Sequence, residues 1–304
     1  MDIRCQIAVL WALASIAAQV SAAETGQADL DFSASAGYQY DSNVNVAEID
    51  ANTGEGDTAL VMDVGIDGSL RPGKRLSLDL GYAYSATRYR QFSEFDLAIH
   101  HLRGAVSYRL AGFDSGLSVD RFATRLDDDA FLDITRVSPT LSRMLGDRLY
   151  LRGAFARAEK SYHERTERDA VNEAFRADAY FLLDGMQRYF AVALERDSED
   201  ASSDALDYDG IATKLTYGHR LEAGSLGVDV NAHVRFENRD YKTLPNADES
   251  PRRDERRRAG LGVALPLGEH FEIAGQAEYA DNASTLDAAA YDEMVYTLSV
   301  GAGF

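Results

Sequence analysis

Apolar and polar residues alternate with a period of two along most of the chain, the mark of strands with one apolar and one polar face. From Ser225 to Glu237, Leu226, Val228, Val230, Ala232, Val234 and Phe236 fall on one face, and Gly227, Asp229, Asn231, His233, Arg235 and Glu237 on the other. Leu76 to Ala86 and Tyr291 to Phe304 repeat the scheme, and Leu60, Met62, Val64 and Ile66 oppose Asp63, Gly65 and Asp67. A helix would scatter these residues around its surface. About fourteen such segments follow one another, an even number as expected of a closed bacterial barrel. They centre on 29–40, 58–70, 75–88, 97–110, 114–125, 131–144, 148–160, 172–184, 187–197, 208–221, 225–237, 256–267, 270–280 and 291–304. The fifth and sixth are the weakest. Alternation slips around Arg121 and Arg136, and Pro139 cannot donate to a regular ladder.

The connections alternate in length. Short turns are expected at 71–74, 111–112, 146–147, 184–185, 222–224 and 268–269, and long polar loops at 41–57, 89–96, 126–130, 161–171, 198–207, 238–255 and 281–290. Outer-membrane barrels have short periplasmic turns and longer extracellular loops. The expected fold is therefore all-β, an antiparallel transmembrane up-and-down barrel of about fourteen strands in a bacterial outer membrane. Beginning with a long loop and ending on a strand puts both termini in the periplasm. Tyr38, Tyr40, Tyr82, Tyr84, Tyr217 and Tyr279 are expected near the long-loop ends as an aromatic girdle. A soluble β-sandwich would alternate too. Its strands would be shorter, and its second face would not be so rich in Gly, Ala, Ser and charge.

Composition sharpens this picture in two places. The chain has 304 residues, 50 acidic and 31 basic, for a net charge of -19. Such a chain is a poor partner for nucleic acid, whose phosphates reward Lys and Arg. The one long apolar run lies at the start. Met1 to Ala23, with Arg4 before an apolar stretch from Ile7 to Ala18 and small residues at Val20 to Ala23, reads as a secretory signal peptide removed on export. The barrel is then the single domain 24–304. The only Cys is Cys5, inside the leader, so the mature chain has neither a disulfide nor a thiol nucleophile.

Candidate chemistry is sparse. The six histidines, His100, His101, His163, His219, His233 and His270, accompany no nucleophile motif, so no enzymatic activity and no cofactor are expected. Asp127, Asp128 and Asp129 lack the spacing of an EF-hand and read as a solvated loop, with no metal. The run Arg252-Arg253-Asp254-Glu255-Arg256-Arg257-Arg258 offers guanidinium groups to lipopolysaccharide phosphates, but internal pairs with Asp254 and Glu255 are the favoured reading. The inward faces are more informative. The period-two count sends Asp63, Asp67 and Asp79 inward on early strands, and Arg103, Arg109, Arg152, Arg176, Lys214 and Arg220 inward on middle strands. Asp229, Glu272 and Glu278 follow on late strands, and Asp178, Glu195, Arg235 and Arg258 break the segregation. An acidic wall facing a basic wall would set the selectivity of a pore for small polar solutes. The competing expectation is a lumen filled by paired charges.

Phe304, preceded by alternating apolar residues back to Met294, resembles the C-terminal signal of bacterial outer-membrane proteins. That resemblance implies recognition of the last strand by the barrel-assembly machinery, with outer-membrane lipids and lipopolysaccharide as surroundings. Gly37-Tyr38-Gln39-Tyr40-Asp41-Ser42-Asn43-Val44-Asn45 resembles the opening of the C-terminal barrel of surface lipoprotein assembly modifiers. This second likeness implies an exported lipoprotein client, although the tetratricopeptide domain usual in those proteins has no room here. A passive structural or surface-interaction barrel is the third expectation.

Overall fold

The structure is a computed structural model that describes residues 27–223, 226–242 and 251–304. The predicted signal peptide lies outside the described residues. Fourteen antiparallel strands close into one barrel. In chain order they are β1 (Gln27–Asp41), β2 (Asp57–Arg71), β3 (Leu76–Tyr89), β4 (Leu97–Leu110), β5 (Phe113–Leu126), β6 (Asp129–Leu145) and β7 (Leu149–Tyr162). The second half comprises β8 (Ala170–Asp184), β9 (Arg188–Ala201), β10 (Tyr208–Ala223), β11 (Leu226–Tyr241), β12 (Arg253–Leu267), β13 (Phe271–Ser284) and β14 (Tyr291–Gly303). Each strand pairs with its neighbours in sequence, and β1 also pairs with β14, from Ser33 opposite Gly303 to Asp41 opposite Val295.

The closing seam is tight. A Cβ on Gly37 would lie 2.6 Å from the Leu298 carbonyl oxygen, so a side chain there would push β1 from β14. Beyond the last paired residue, the Phe304 amide donates to the Phe32 carbonyl and the Phe32 amide to the Phe304 carbonyl, both at 2.9 Å. The His270 ring stacks on Phe304 with centroids 5.0 Å apart.

The polarity is inverted relative to a water-soluble protein. Leu60, Leu80, Leu102, Phe175, Leu194, Ile211 and Leu298 are exposed on the outer wall. Asp41, Asp120, Asn172, Asp178, Asp197, Glu237 and Asp254 are buried on the inner one. The outer belt suits hydrocarbon, where each lipid-facing Arg or Lys at mid-depth would cost about 2–4 kcal/mol. The ladder explains closure, since lipid offers no partner for an unpaired backbone amide or carbonyl.

The weak fifth and sixth segments are regular strands, with two local departures. The predicted loop at 126–130 is only a two-residue turn. Asp127 and Asp128, at φ 51° and 63°, join β5 to β6 in the left-handed conformation that Asp tolerates and tight hairpins require. The register shifts between Thr124 and Arg125, and this bulge accounts for the slip in alternation. Pro139 sits opposite Leu117 of β5, but toward β7 the pairing breaks off after Val137 and resumes at Thr140. The strand thus turns its missing donor toward a gap. Tyr217 departs from the expected girdle, because it lies toward the short-turn half of β10, bonded to His219 at 2.9 Å.

Removal of Phe304 is expected to delete both closing bonds at the short-turn end of the seam. We predict less folded, heat-modifiable barrel in the outer membrane and accumulation of periplasmic precursor. Unchanged yield and mobility on unheated gels would show that the terminal residue is dispensable.

Candidate constriction at the long-loop end

The loop between β1 and β2 does not extend away from the barrel; it folds into the mouth as a strap. Asn45–Val46 and Ala51–Asn52 form a small antiparallel ladder, joined by a single 3-10 turn over Ala47–Ile49. Asp50 ends that turn at φ 54°, another left-handed position filled by Asp. Val44 and Val46 are buried. Ile49 packs against an apolar patch on the inner wall formed by Ile99, Phe122, Leu132 and Tyr162 from β4 to β7. That patch is an exception to the polar lining, and it forms a seat for the strap.

The tip is latched by charge. Asp50 Oδ2 accepts from Arg168 Nη2 at 2.8 Å, and Asp50 Oδ1 from Arg252 Nη2 at 2.8 Å. Arg168 also donates to the Glu48 carbonyl at 2.9 Å, and Arg252 to Asp254 at 2.9 and 3.0 Å. Arg168 stands in the loop between β7 and β8, almost opposite the root of the strap in a ring of fourteen. Arg252 immediately precedes β12 and lies over the Tyr241 ring, 4.4 Å from its centroid. At the near side, Asn43 donates to the Asp292 carbonyl at 3.0 Å and Asn45 to Glu293 at 2.9 Å. The strap therefore crosses the mouth from wall to wall. Burial alone would raise the Asp50 carboxyl, but the hydrogen bonds and charges of Arg252 and Arg168 outweigh it and hold the group below its ordinary value. Burial works against the Arg252 cation too, and Asp254 and Asp50 overcome it.

Between strap and wall lies a cavity of about 70 Å³. Glu48 and Asp50 line it from the strap, and Lys160, Tyr162, Tyr208, Arg239, Tyr241 and Arg256 from the barrel.

The basic run is legible in this light. It is not a loop but the start of β12, so its residues alternate. Arg252, Asp254 and Arg256 are buried on the inside, while Arg253, Glu255 and Arg257 are exposed outside. Arg256 meets Asp254 at 3.4 Å, Arg257 meets Glu255 at 3.2 Å, and Arg253 meets Asp240 at 2.8 Å. These are internal pairs rather than a free phosphate-binding patch.

Deeper in the lumen, Asp63 accepts from Ser35 at 3.1 Å, and Asp67 has Arg103 and Asp31 as charged neighbours. Asp79, toward the short-turn end, is bonded by Ser77 at 3.2 Å. Arg109 pairs with Asp114 across the β4–β5 hairpin at 2.7 Å. Arg176 meets Asp178 at 2.8 Å and Glu195 at 3.9 Å, and Arg235 meets Glu195 at 3.1 Å and Glu237 at 2.9 Å. Arg152 stands across the ladder from Asp178, and Lys214 across from Arg235. The structure thus does not gather the basic residues into an unmixed wall; acids of the same wall are threaded between them. His101 and the buried Asp120 are bonded at 2.9 Å, and His101 stacks on Phe122 at 4.1 Å, so its neighbours are structural. Among the described residues no group of His, Cys, Asp or Glu is arranged to hold a metal ion.

No protein-family model matches the sequence, and no curated protein matches it. Solved structures do match in shape. The anion-selective porin from Comamonas acidovorans superposes with a TM-score of 0.55 at 11% identity, covering 92% of this chain and 100% of that one. A loop L8 deletion mutant of OmpT, an outer-membrane protein of Vibrio cholerae, gives 0.54 at 10% identity, covering 92% and 100%. OmpF of Salmonella typhi, solved with daunomycin, gives 0.53 at 10%, covering 92% and 98%. The fold is that of bacterial outer-membrane porins. At such identities the likeness concerns the barrel and transfers no residue roles.

The latch predicts a pH dependence of known sign. The Asp50 carboxyl is held below its ordinary value of about 3.9, so its pairing contributes fully above that value and fades as pH falls through the folded-state one. Removing one partner from a buried ion pair costs on the order of 3–5 kcal/mol. Asp50→Ala is therefore expected to speed hydrogen exchange across residues 43–55 by about 100-fold or more at pH 7. The unaltered protein should hold the same protection from pH 7 to 5 and lose it only in stronger acid. Equal protection in the variant would show that the apolar seat alone fixes the strap.

Proposed function

We propose that the protein is a non-enzymatic, porin-like channel that passes small polar solutes across a bacterial outer membrane, narrowed at its long-loop end by the strap. The observation that carries this reading is the strap itself, latched across the mouth of a polar, charge-lined lumen by Asp50. A strand-built wall with lipid outside and charge inside is the arrangement of an aqueous pore, and a loop folded inward supplies the narrow point. In this reading the long loops face the exterior and the short turns and both termini the periplasm. Assembly passes through the barrel-assembly machinery, which reads Phe304.

The same observation weighs against export of a lipoprotein, since a folded client cannot pass a mouth crossed from wall to wall. Lumen charges then tune selectivity. In a ring of fourteen, β2, with Asp63 and Asp67, stands seven strands from β9 and six from β10, which carries Lys214 on the far side. Solutes would pass between fixed charges of both signs, whose fields are focused by the low-dielectric surroundings.

Planar-bilayer recording of the refolded barrel tests the proposal. A small, steady conductance is expected, rising several-fold when residues 44–54 are replaced by a short Gly-Ser linker. Arg152→Glu with Arg176→Glu should move the reversal potential in a salt gradient toward cation preference, and Asp63→Lys with Asp67→Lys toward anion preference. Absence of current both with and without the strap would overturn the channel reading.

A further inference from the structure

At the root of the strap two buried carboxyls face each other. Asp41 ends β1 and Glu293 lies near the start of β14, at 2% and 5% exposure. Both stand on the loop side of Tyr40 and Tyr296, the outward rings paired at the top of the seam, and so belong to the mouth. The two carboxyls lie within hydrogen-bond distance of each other. Their other hydrogen-bond partners are neutral. Asp41 accepts from the Asn43 amide at 2.9 Å and from the Tyr89 hydroxyl of β3 at 2.8 Å, and Glu293 accepts from Asn45 of the strap at 2.9 Å. Tyr291 of β14 and, through its field, Arg258 of β12 also face Glu293. Ala280, opposite Glu293 on β13, adds no charge. Asp57, opposite Asp41 on β2, gives its carboxylate to the amides of Thr58, Gln91 and Phe92. Among the described residues no third acid or histidine joins the pair to hold a metal ion.

We propose that Asp41 and Glu293 share one proton, and that this proton pins the root of the strap. Two carboxyl oxygens meet at such a distance with a hydrogen between them, because two carboxylates would repel and neutral partners do not offset the second charge. The pin joins three pieces. It ties β1 to β14 at the end of their ladder, beside the bond from the Ser42 amide to the Met294 carbonyl at 3.0 Å and that from the Met294 amide to Ser42 Oγ at 2.7 Å. Through Asn43 and Asn45 it sets the direction in which the strap leaves the wall. Loss of the proton places two like charges in contact beneath that departure. The sign is opposite to that of Asp50. The closed root binds the proton more tightly than the open one, so the root is most stable in acid and loosens as pH rises. The tip, latched by Asp50 to Arg168 and Arg252, keeps its hold in alkali. The strap is therefore fastened at both ends only in the interval between the two titrations.

Two measurements on the refolded barrel test this independently of conductance. Infrared difference spectra at pH 7 should show the C=O band of a protonated carboxylic acid, and Glu293→Gln should remove it. Hydrogen exchange of the Ser42 and Met294 amides, corrected for the intrinsic rate, should lose protection by about tenfold or more between pH 5 and pH 9, the equivalent of one unit of pKa difference between closed and open root. Glu293→Gln keeps an acceptor for Asn45 and supplies a permanent donor to Asp41, so its protection should not change over that range. Asp292→Asn, on the outer face, should behave as the unaltered protein. Heat-modifiable mobility verifies folding, and Asp41→Asn carries the same test should Glu293→Gln not fold. Absence of the acid band, flat protection in the unaltered protein, or an unchanged pH dependence in a folded variant would each overturn the proposal. A conducting barrel whose root ignores pH would remove this inference and leave the channel standing. A non-conducting barrel with a titrating root would do the reverse.

Discussion

A backbone amide or carbonyl facing hydrocarbon has no water to bond, and the rest of this structure depends on that constraint. It forces β1 to pair with β14, which are separated by nearly the whole chain, and it leaves no free sheet edge in the barrel wall. Closure then decides the distribution of side chains. Alternate residues of each strand meet lipid, so the large apolar side chains are on the outside, and their neighbours are confined together in the interior. Among the described residues there is no large apolar core. The inner patch of Ile99, Phe122, Leu132 and Tyr162 is local, and its use is to seat Ile49 of the strap.

Part of the acidic composition has a local structural use. Several carboxylates are acceptors for backbone donors at the long-loop end. Asp96, Asp169 and Asp207 each follow a single 3-10 turn and accept from an amide at the end of the preceding strand, Tyr89 at 2.7 Å, Tyr162 at 2.6 Å and Ala201 at 2.7 Å. Asp57 accepts from Thr58, Gln91 and Phe92. Three loops are thus built by one device, an aspartate placed where a strand ladder would otherwise end in an unpaired donor. The negative charge follows in part from this local architecture, not only from any demand of a ligand.

Sequence made the barrel legible because period two is a local property, and each strand reports it without knowledge of its partners. Leu226 to Phe236 is enough to define a wall, and the short turns at Ala111-Gly112 and Gly146 mark hairpins by residue type. The errors arose where geometry departs from a two-residue repeat. The bulge at Thr124/Arg125 shifts the phase, and the Asp127-Asp128 turn resembles a solvated acidic loop unless its left-handed backbone is known. The strap was illegible for a different reason. Asp50 and Arg252 are separated by 202 residues, and nothing near either one announces the other. A faint signal existed in Val44, Val46 and Ile49, three apolar β-branched residues in a segment otherwise polar enough to be solvated. Such residues need a surface to cover them. The arginine run pairs internally with Asp254 and Glu255 as its composition suggests, but it begins a strand a few residues earlier than expected, and alternation divides it into two faces with different partners.

The latch and the lumen bear on function in unequal ways. Along the wall from β8 to β11, Arg176 and Arg235 alternate with Asp178, Glu195 and Glu237, so their fields largely cancel within the wall that carries them. At the strap the cancellation is less complete. Arg252 is shared between Asp50 and Asp254, Arg168 is shared between a carboxylate and a backbone carbonyl, and Arg256 retains a donor without an acceptor. The strap also crosses the mouth where this imbalance lies. In the proposed channel, a solute passing the strap meets these groups directly, which puts discrimination between solutes at the mouth, with the loop the barrel folds into itself.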